Sequence, residues 1–318
     1  MIAGYHSIET LILLVSVKQF LKLGALVPPC STSFTPSEPI PRSITPMKKL
    51  KDTKPYIVGS GEKIELAKIP SDFQGSEFSK KKAYKRIEAN AVVMAELAKR
   101  LYAENRRSIL LVLQGMDTAG KDGTIRSVMR GMNPTSCQVN SFKKPSEEEL
   151  DHDFLWRVHQ VVPRRGNIGI FNRSHYEDVL VVRVHSLVPK KTWQARYQLI
   201  NDFEKLLAST ETRIIKCFLH ISKETQRERL QARVDDPAKH WKFNPGDLAE
   251  RKKWDDYQCA YEAALQQCST DHAPWNIIPS DRKWYRNLVV SELLRSTLED
   301  MAPEYPPAEA DFTDIKVQ

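Results

Sequence analysis

The sequence predicts an α/β protein: a parallel five-stranded sheet with helices on both faces, a phosphate-binding P-loop at one strand end, and a helical lid. Three observations carry that reading. Apolar runs of strand length alternate with segments of helical periodicity, the pattern of a parallel sheet covered on both faces. One run, Leu110–Leu113, leads into Gly115, with Gly120 and Lys121 at the spacing of a P-loop. A basic helix, a break and a second helix separate the fourth and fifth strand candidates, where a lid would close over such a loop.

Residues 1–46 differ from the rest. Leu11–Val17 is apolar, but Lys18 and Lys22 interrupt it, and no apolar span reaches the roughly 18 residues of a membrane helix. A secretory signal wants positive charge before its apolar run, and this start offers His6 and Glu9. Residues 28–46 have the Pro, Ser and Thr content of a linker, and Met47-Lys48-Lys49 reads as a natural beginning. Residues 1–46 are therefore read as an atypical extension, disordered or a start-site artefact, with a targeting segment as the alternative.

The domain proper is read as 47–301. Residues 47–79 are irregular, with Pro55, Gly59, Gly61, Pro70 and Gly75. From Lys80 a helix is expected, since Ile87, Ala91, Met94, Ala98 and Leu101 recur at helical spacing. Ser108–Gln114 is the first strand and Gly120–Met132 the helix after the loop, stopped at Asn133-Pro134. Gln138–Phe142 is a short strand. Ser146 caps a helix with an acidic first turn, expected to run to about Val161. Ile168–Phe171 is a buried strand, Pro189–Leu207 a helix, and Arg213–Ile221 a strand. Ser222 opens the lid, about 222–268, and Trp275–Pro279 is the fifth strand before a last helix. Residues 302–318 form an acidic tail.

The formal net charge is +8, unevenly placed. Residues 1–46 carry +1 and the tail −3, which leaves +10 on 47–301. A basic domain suits a polyanionic partner: nucleotide, nucleic acid or a phosphate polymer. The five cysteines form no C-x-x-C pair, and Cys137 and Cys217 lie in strands. They read as small buried hydrophobes of a cytoplasmic protein.

Chemistry concentrates in three places. In the loop, Gly115, Gly120, Gly123 and Thr124 are candidate phosphate-binding residues and Lys121 the cation. Asp122 stands where a magnesium-binding Ser or Thr is expected, and an extra acid, Asp117, lies inside the loop. The second place, Phe171 to Asp178, follows a buried strand at its carboxyl end, where ligands of open parallel sheets bind. Arg173 can fork onto a phosphate, and Asp178 or Glu177 can hold magnesium or orient the attacking oxygen. His175 has no metal-like partner spacing and reads as a packing or hydrogen-bonding residue. The bland reading of this stretch is a polar turn with solvated acids. The third place is the lid, with Arg227, Arg229, Arg233, Lys239, His240, Lys242 and Arg251–Lys253, whose bland reading is a solvated helical hairpin. Lys143 is a further candidate phosphate ligand, whereas Arg164 and Arg165 precede their strand and are expected away from the site.

Gly115–Gly123, Asp151–Arg157, Phe171–Leu180 and Asp236–Phe243 together resemble the polyphosphate kinase 2 family, and His272–Trp275 and Lys283–Arg286 support the resemblance. It covers about residues 50–300. It implies a thymidylate kinase-like fold and magnesium-dependent, in-line phosphoryl transfer between inorganic polyphosphate and AMP or ADP. It further implies that Asp117 helps hold magnesium, that Lys121 and Arg173 contact phosphate, and that Arg233, Lys239 and Lys242 belong to the lid. Asn172 replaces an Asp common in relatives, which moves the expected metal role to Asp178 and points to the subgroup accepting AMP as well as ADP. Thr135-Ser136 also departs from the family pattern. A homo-oligomer, dimer or tetramer, is the family expectation; neither nucleic acid nor membrane is an expected partner. The alternatives are an ATP-dependent nucleotide kinase of the same fold and, remotely, a non-catalytic nucleic-acid-binding protein.

Overall fold

A computed structural model of the chain describes residues 54–76, 78–310, 315 and 317. The extension expected over 1–46 lies outside them. The sheet has six strands in the order β1 (Tyr56–Ile57), β6 (Trp275–Pro279), β5 (Thr212–His220), β2 (Ser108–Gln114), β4 (Ile168–Asn172) and β3 (Cys137–Ser141). The five expected strands are all present and run parallel. The sixth, β1, adds antiparallel to the edge at β6, inside a stretch read as irregular. Its two residues are too few to show periodicity, so only pairing reveals it.

All seven residues of β2 are buried, as a central strand covered on both faces requires. On one side pack α1 (Lys80–Glu104), α2 (Lys121–Val128) and α10 (Lys283–Met301). The α1 stripe Ile87, Ala91, Met94, Ala98 and Leu101 is buried as its spacing requires. Buried Asn90 adds specificity, donating to Ser291 Oγ at 3.0 Å and Glu292 Oε1 at 2.7 Å on α10. On the other side lie α6 (Lys190–Ser209) and α9 (Trp254–Gln267). There Lys216 of β5 reaches Glu204 of α6 at 2.6 Å, and both side chains are fully buried.

The expected helix from Ser146 is two short pieces, α3 (Glu147–Asp151) and α4 (Trp156–His159). Ser146 forms the capping box with Glu149. The break follows because Asp153 accepts the Leu155 N–H at 2.9 Å, a local turn that competes with helix. The short α5 (Val181–Val184) follows β4, and the lid region holds α7 (Lys223–Val234), a 3-10 turn (Pro237–Lys242) and α8 (Gly246–Lys252) before α9. Among the described residues no helix is long and apolar enough to cross a membrane.

Candidate active site

The P-loop joins β2 to α2. Gly115 sits at φ 153°, and a Cβ there would come within 2.7 Å of the Leu219 carbonyl oxygen, so β5 leaves the loop no room for a side chain. Lys121 opens α2 and folds back into the loop, its Nζ donating to the Gly115 carbonyl at 2.8 Å. Burial pushes its pKa down to about 8; Arg173 adds to that, while Asp117, Glu177 and Asp122 oppose it. The Thr124 hydroxyl donates to the Gly120 carbonyl at 3.2 Å, and Asp122 accepts from Asn172 Nδ2 at 2.7 Å.

The end of β4 meets this loop. Arg173 takes a left-handed conformation, φ 62°, and its N–H is fixed by the Leu113 carbonyl at 3.1 Å. Its guanidinium donates to Asp117 Oδ1 at 2.7 Å and lies 3.9 Å from Glu177 Oε2. Burial works against the Arg173 charge, but Glu177 and Asp117 outweigh it and hold its pKa above the ordinary value. Burial raises the Glu177 pKa, against the pull of Arg173 and Lys121.

Asp178 does not join them. Its carboxylate accepts from Arg196 at 3.0 Å and pairs with Arg157 at 3.7 Å, and burial raises its pKa against both arginines. In a 3-10 turn, neighbouring side chains point about 120° apart, so Glu177 faces the loop while Asp178 faces the arginines. Of the two acids offered for magnesium, Glu177 is the one that shares the pocket of Asp117, and Asp178 lies among arginines outside it.

His175 and Tyr176 are fully buried beneath this turn. His175 Nε2 lies 3.2 Å from Glu204 Oε1, and the Tyr176 hydroxyl donates to the same oxygen at 2.8 Å. Lys216 Nζ donates to Glu204 Oε2 at 2.6 Å, to the Tyr176 hydroxyl at 2.8 Å and to the Cys268 carbonyl at 2.5 Å. The buried Lys216–Glu204 pair, with Tyr176 and His175 on the same carboxylate, therefore underlies the turn that presents Arg173 and Glu177.

Gly115, Asp117, Arg173 and Glu177 share a pocket of about 120 Å³ with Val181 and with Gln226, Glu250, Tyr257 and Tyr261 from the lid. The last four are the residues sequence reasoning missed. Glu250, Tyr257 and Tyr261 recur at helical intervals, a signal overshadowed by the basic residues around them. Gln226 Nε2 donates to the Asp117 carbonyl at 3.2 Å, and its Oε1 accepts from Arg251 at 3.0 Å. The Tyr257 hydroxyl donates to Glu250 Oε2 at 2.6 Å, which also lies 2.9 Å from His185 Nε2. The predicted lid cations sit further out. Arg233 pairs with Asp247 at 3.3 Å, Lys239 with Asp236 at 2.7 Å, and Lys242 lies 4.7 Å over the exposed Trp241 ring. Lys143 opens onto a separate cleft with Arg157. A larger cleft, about 1040 Å³ between the α5–α6 connection and α9, holds none of the loop residues, so volume does not locate the chemistry.

Asp117 and Glu177 are two carboxylates beside a phosphate loop, the hard oxygen donors magnesium takes along with water and phosphate oxygens. Among the described residues no group of three or more His, Cys, Asp or Glu could hold a metal by itself. The donor set therefore fits an ion that borrows part of its shell from substrate phosphates.

The polyphosphate kinase 2 family model matches residues 77–306. The AMP/ADP-polyphosphate phosphotransferase of Meiothermus ruber is 51% identical over 269 residues, covering 83% of this chain and 100% of that protein. The ADP-polyphosphate phosphotransferase of Rhodopseudomonas palustris is 46% identical, covering 80% of this chain and 92% of that protein. Among solved structures, polyphosphate kinase 2 from Arthrobacter aurescens TC1 superposes with a TM-score of 0.77 at 40% identity, over 81% of this chain and 95% of that one. A match over most of the domain, a shared fold and relatives aligned almost end to end agree: this chain belongs to the polyphosphate kinase 2 family.

Proposed function

We propose that the protein transfers a phosphoryl group between inorganic polyphosphate and AMP or ADP, with magnesium as cofactor. The observation that carries the reading is the convergence of Asp117, Arg173 and Glu177 at one strand-end pocket, with Lys121 held to the carbonyl of Gly115, which lines it. An oxygen of the nucleotide's terminal phosphate bonds to the terminal phosphorus of the chain. The P–O bond behind that phosphorus breaks, and the chain leaves one unit shorter with the bonding electrons. The attacking oxygen is already ionised, so no strong base is needed. Lys121 and Arg173 neutralise charge on the transferring group, in a pocket whose lid residues limit water. Asp117 and Glu177 would hold magnesium, which would supply further neutralisation of phosphate charge.

The names of the two close relatives support AMP and ADP as acceptors. Buried, unpaired Cys217 and Cys268 support a reducing, cytoplasmic setting. A homo-oligomer is the accompanying expectation, tested by light scattering on the purified chain. For the activity, protein is mixed with polyphosphate, magnesium and either AMP or ADP, with no ATP present. New ADP or ATP is the expected result; its absence, with activity appearing only when ATP is the donor, would refute the reading.

A further inference from the structure

Two arginines grip the back of the P-loop, and no step above uses them. Arg286, 2% exposed, enters from α10 and donates from Nη1 to the Ala119 carbonyl at 2.8 Å. Arg229, half-buried on α7, donates to the Thr118 carbonyl at 2.9 Å and to the Ala119 carbonyl at 3.4 Å. Its second nitrogen donates to the carbonyls of Ser280 and Asp281, each at 2.8 Å, just past β6. The base of the lid, the last strand and the last helix thus converge on two peptide units of the loop. The fit is tight: a Cβ on Gly120 would fall 1.8 Å from Arg286 Nη1.

These guanidiniums bond to backbone carbonyls and to the Asn287 side chain, which orients Arg286 at 2.9 and 3.1 Å. Burial, then Arg229, lowers the Arg286 pKa, yet a guanidinium stays charged at any physiological pH. Because a peptide unit is planar and trans, each N–H points opposite to the carbonyl before it. The Ala119 N–H is already committed to the Met116 carbonyl at 3.0 Å. The Gly120 N–H belongs to the peptide whose carbonyl both arginines hold, so it points away from them. A phosphate cradle depends on donors fixed before charge arrives; a peptide free to flip would offer an oxygen instead.

We propose that Arg229 and Arg286 are positioning residues for phosphoryl transfer. They act through the Ala119 carbonyl to hold the Gly120 amide toward the phosphate, and Arg229 also fixes the preceding turn through the Thr118 carbonyl. The inference rests on the phosphoryl-transfer reading above. Lysine keeps the charge but loses the planar fork, so Arg286→Lys and Arg229→Lys isolate the geometry. In the full-length protein each should lower kcat on the order of 10²-fold, the cost of small misplacement, with the KM for ADP changed less than about threefold. Amide hydrogen exchange followed by mass spectrometry should speed up in the peptide spanning 115–123 in both variants, and in Arg229→Lys also around Ser280-Asp281, whose carbonyls Arg229 holds. Wild-type kcat with unaltered loop exchange would overturn the proposal, as would a loss of kcat that only tracks a fall in Tm. Should the lysine variants fail to fold, Asn287→Ala leaves Arg286 in place but removes its orienting oxygen. Unchanged loop exchange and kcat in that variant would also overturn it. If wild-type protein moves no phosphoryl group from polyphosphate, the function reading falls, while loop exchange in the variants still decides the positioning role.

Discussion

Raising the pH from 7 to 9 should weaken phosphate binding at the P-loop through one group, Lys121. Burial holds its pKa at about 8, against an ordinary 10.5. A phosphate placed against the ammonium favours the charged form and returns the pKa toward its ordinary value. Between those two values the bound protein holds more protons than the free protein, so affinity falls as pH rises through 8. At pH 9 only ~10% of the free protein carries a protonated Lys121, so affinity drops about tenfold from its neutral-pH value, ~1.4 kcal/mol. Calorimetric titration with tripolyphosphate, in buffers of differing ionisation heat, reads the coupled proton directly. The wild type should take up ~0.5 more proton per site than Lys121→Met at pH 8 and ~0.9 more at pH 9. The comparison cancels protons released by the ligand itself. Equal uptake in both proteins would refute the assignment of Lys121 as the phosphate-facing cation.

Lys121→Ala and Asp117→Asn should each lower the transfer rate by several orders of magnitude while circular dichroism and Tm hold; near-normal rates in both would sink the site. Asp178→Asn should behave as a stability variant, costing about 1–3 kcal/mol by removing the charge shared with Arg157 and Arg196, which keep Glu149 and backbone carbonyls as partners, with the magnesium requirement unchanged. Glu177→Gln should do the reverse, raising the magnesium concentration for half-maximal rate at near-normal Tm. Lys216→Met should cost about 3–5 kcal/mol by leaving Glu204 unpaired, and adding Glu204→Gln should recover more than half of it, both read by urea unfolding.

The buried strands were legible because each is a continuous apolar run, and Ser108–Gln114 and Trp275–Pro279 have the expected limits. The loop was legible because glycine and lysine spacing is itself the geometry of a phosphate cradle. The choice between Glu177 and Asp178 was not. They are adjacent acids, and only the turn and the distant Arg157 and Arg196 separate their roles. Tyr257 and Tyr261 did not stand out because nothing local says that α9 reaches the loop's pocket. Arg229 was counted as lid charge and Arg286 only as part of a motif, since a hydrogen bond to a backbone carbonyl leaves no mark in sequence. The α3–α4 break escaped because one Asp side chain outcompeted helix continuation.

Lys216 has a consequence for folding fidelity. Side chains alternate across a strand, so a slip of β5 by one residue would turn this ammonium to the opposite face of the sheet. Glu204 would then keep two hydrogen bonds and lose its counter-charge, and Lys216 would lie among the apolar contacts of α10. Apolar neighbours such as Ile215 and Cys217 would tolerate either face. One ionic pair therefore acts as a checksum for strand register: a misaligned chain would carry two unmatched buried charges beneath the turn bearing Arg173, and the native register would not.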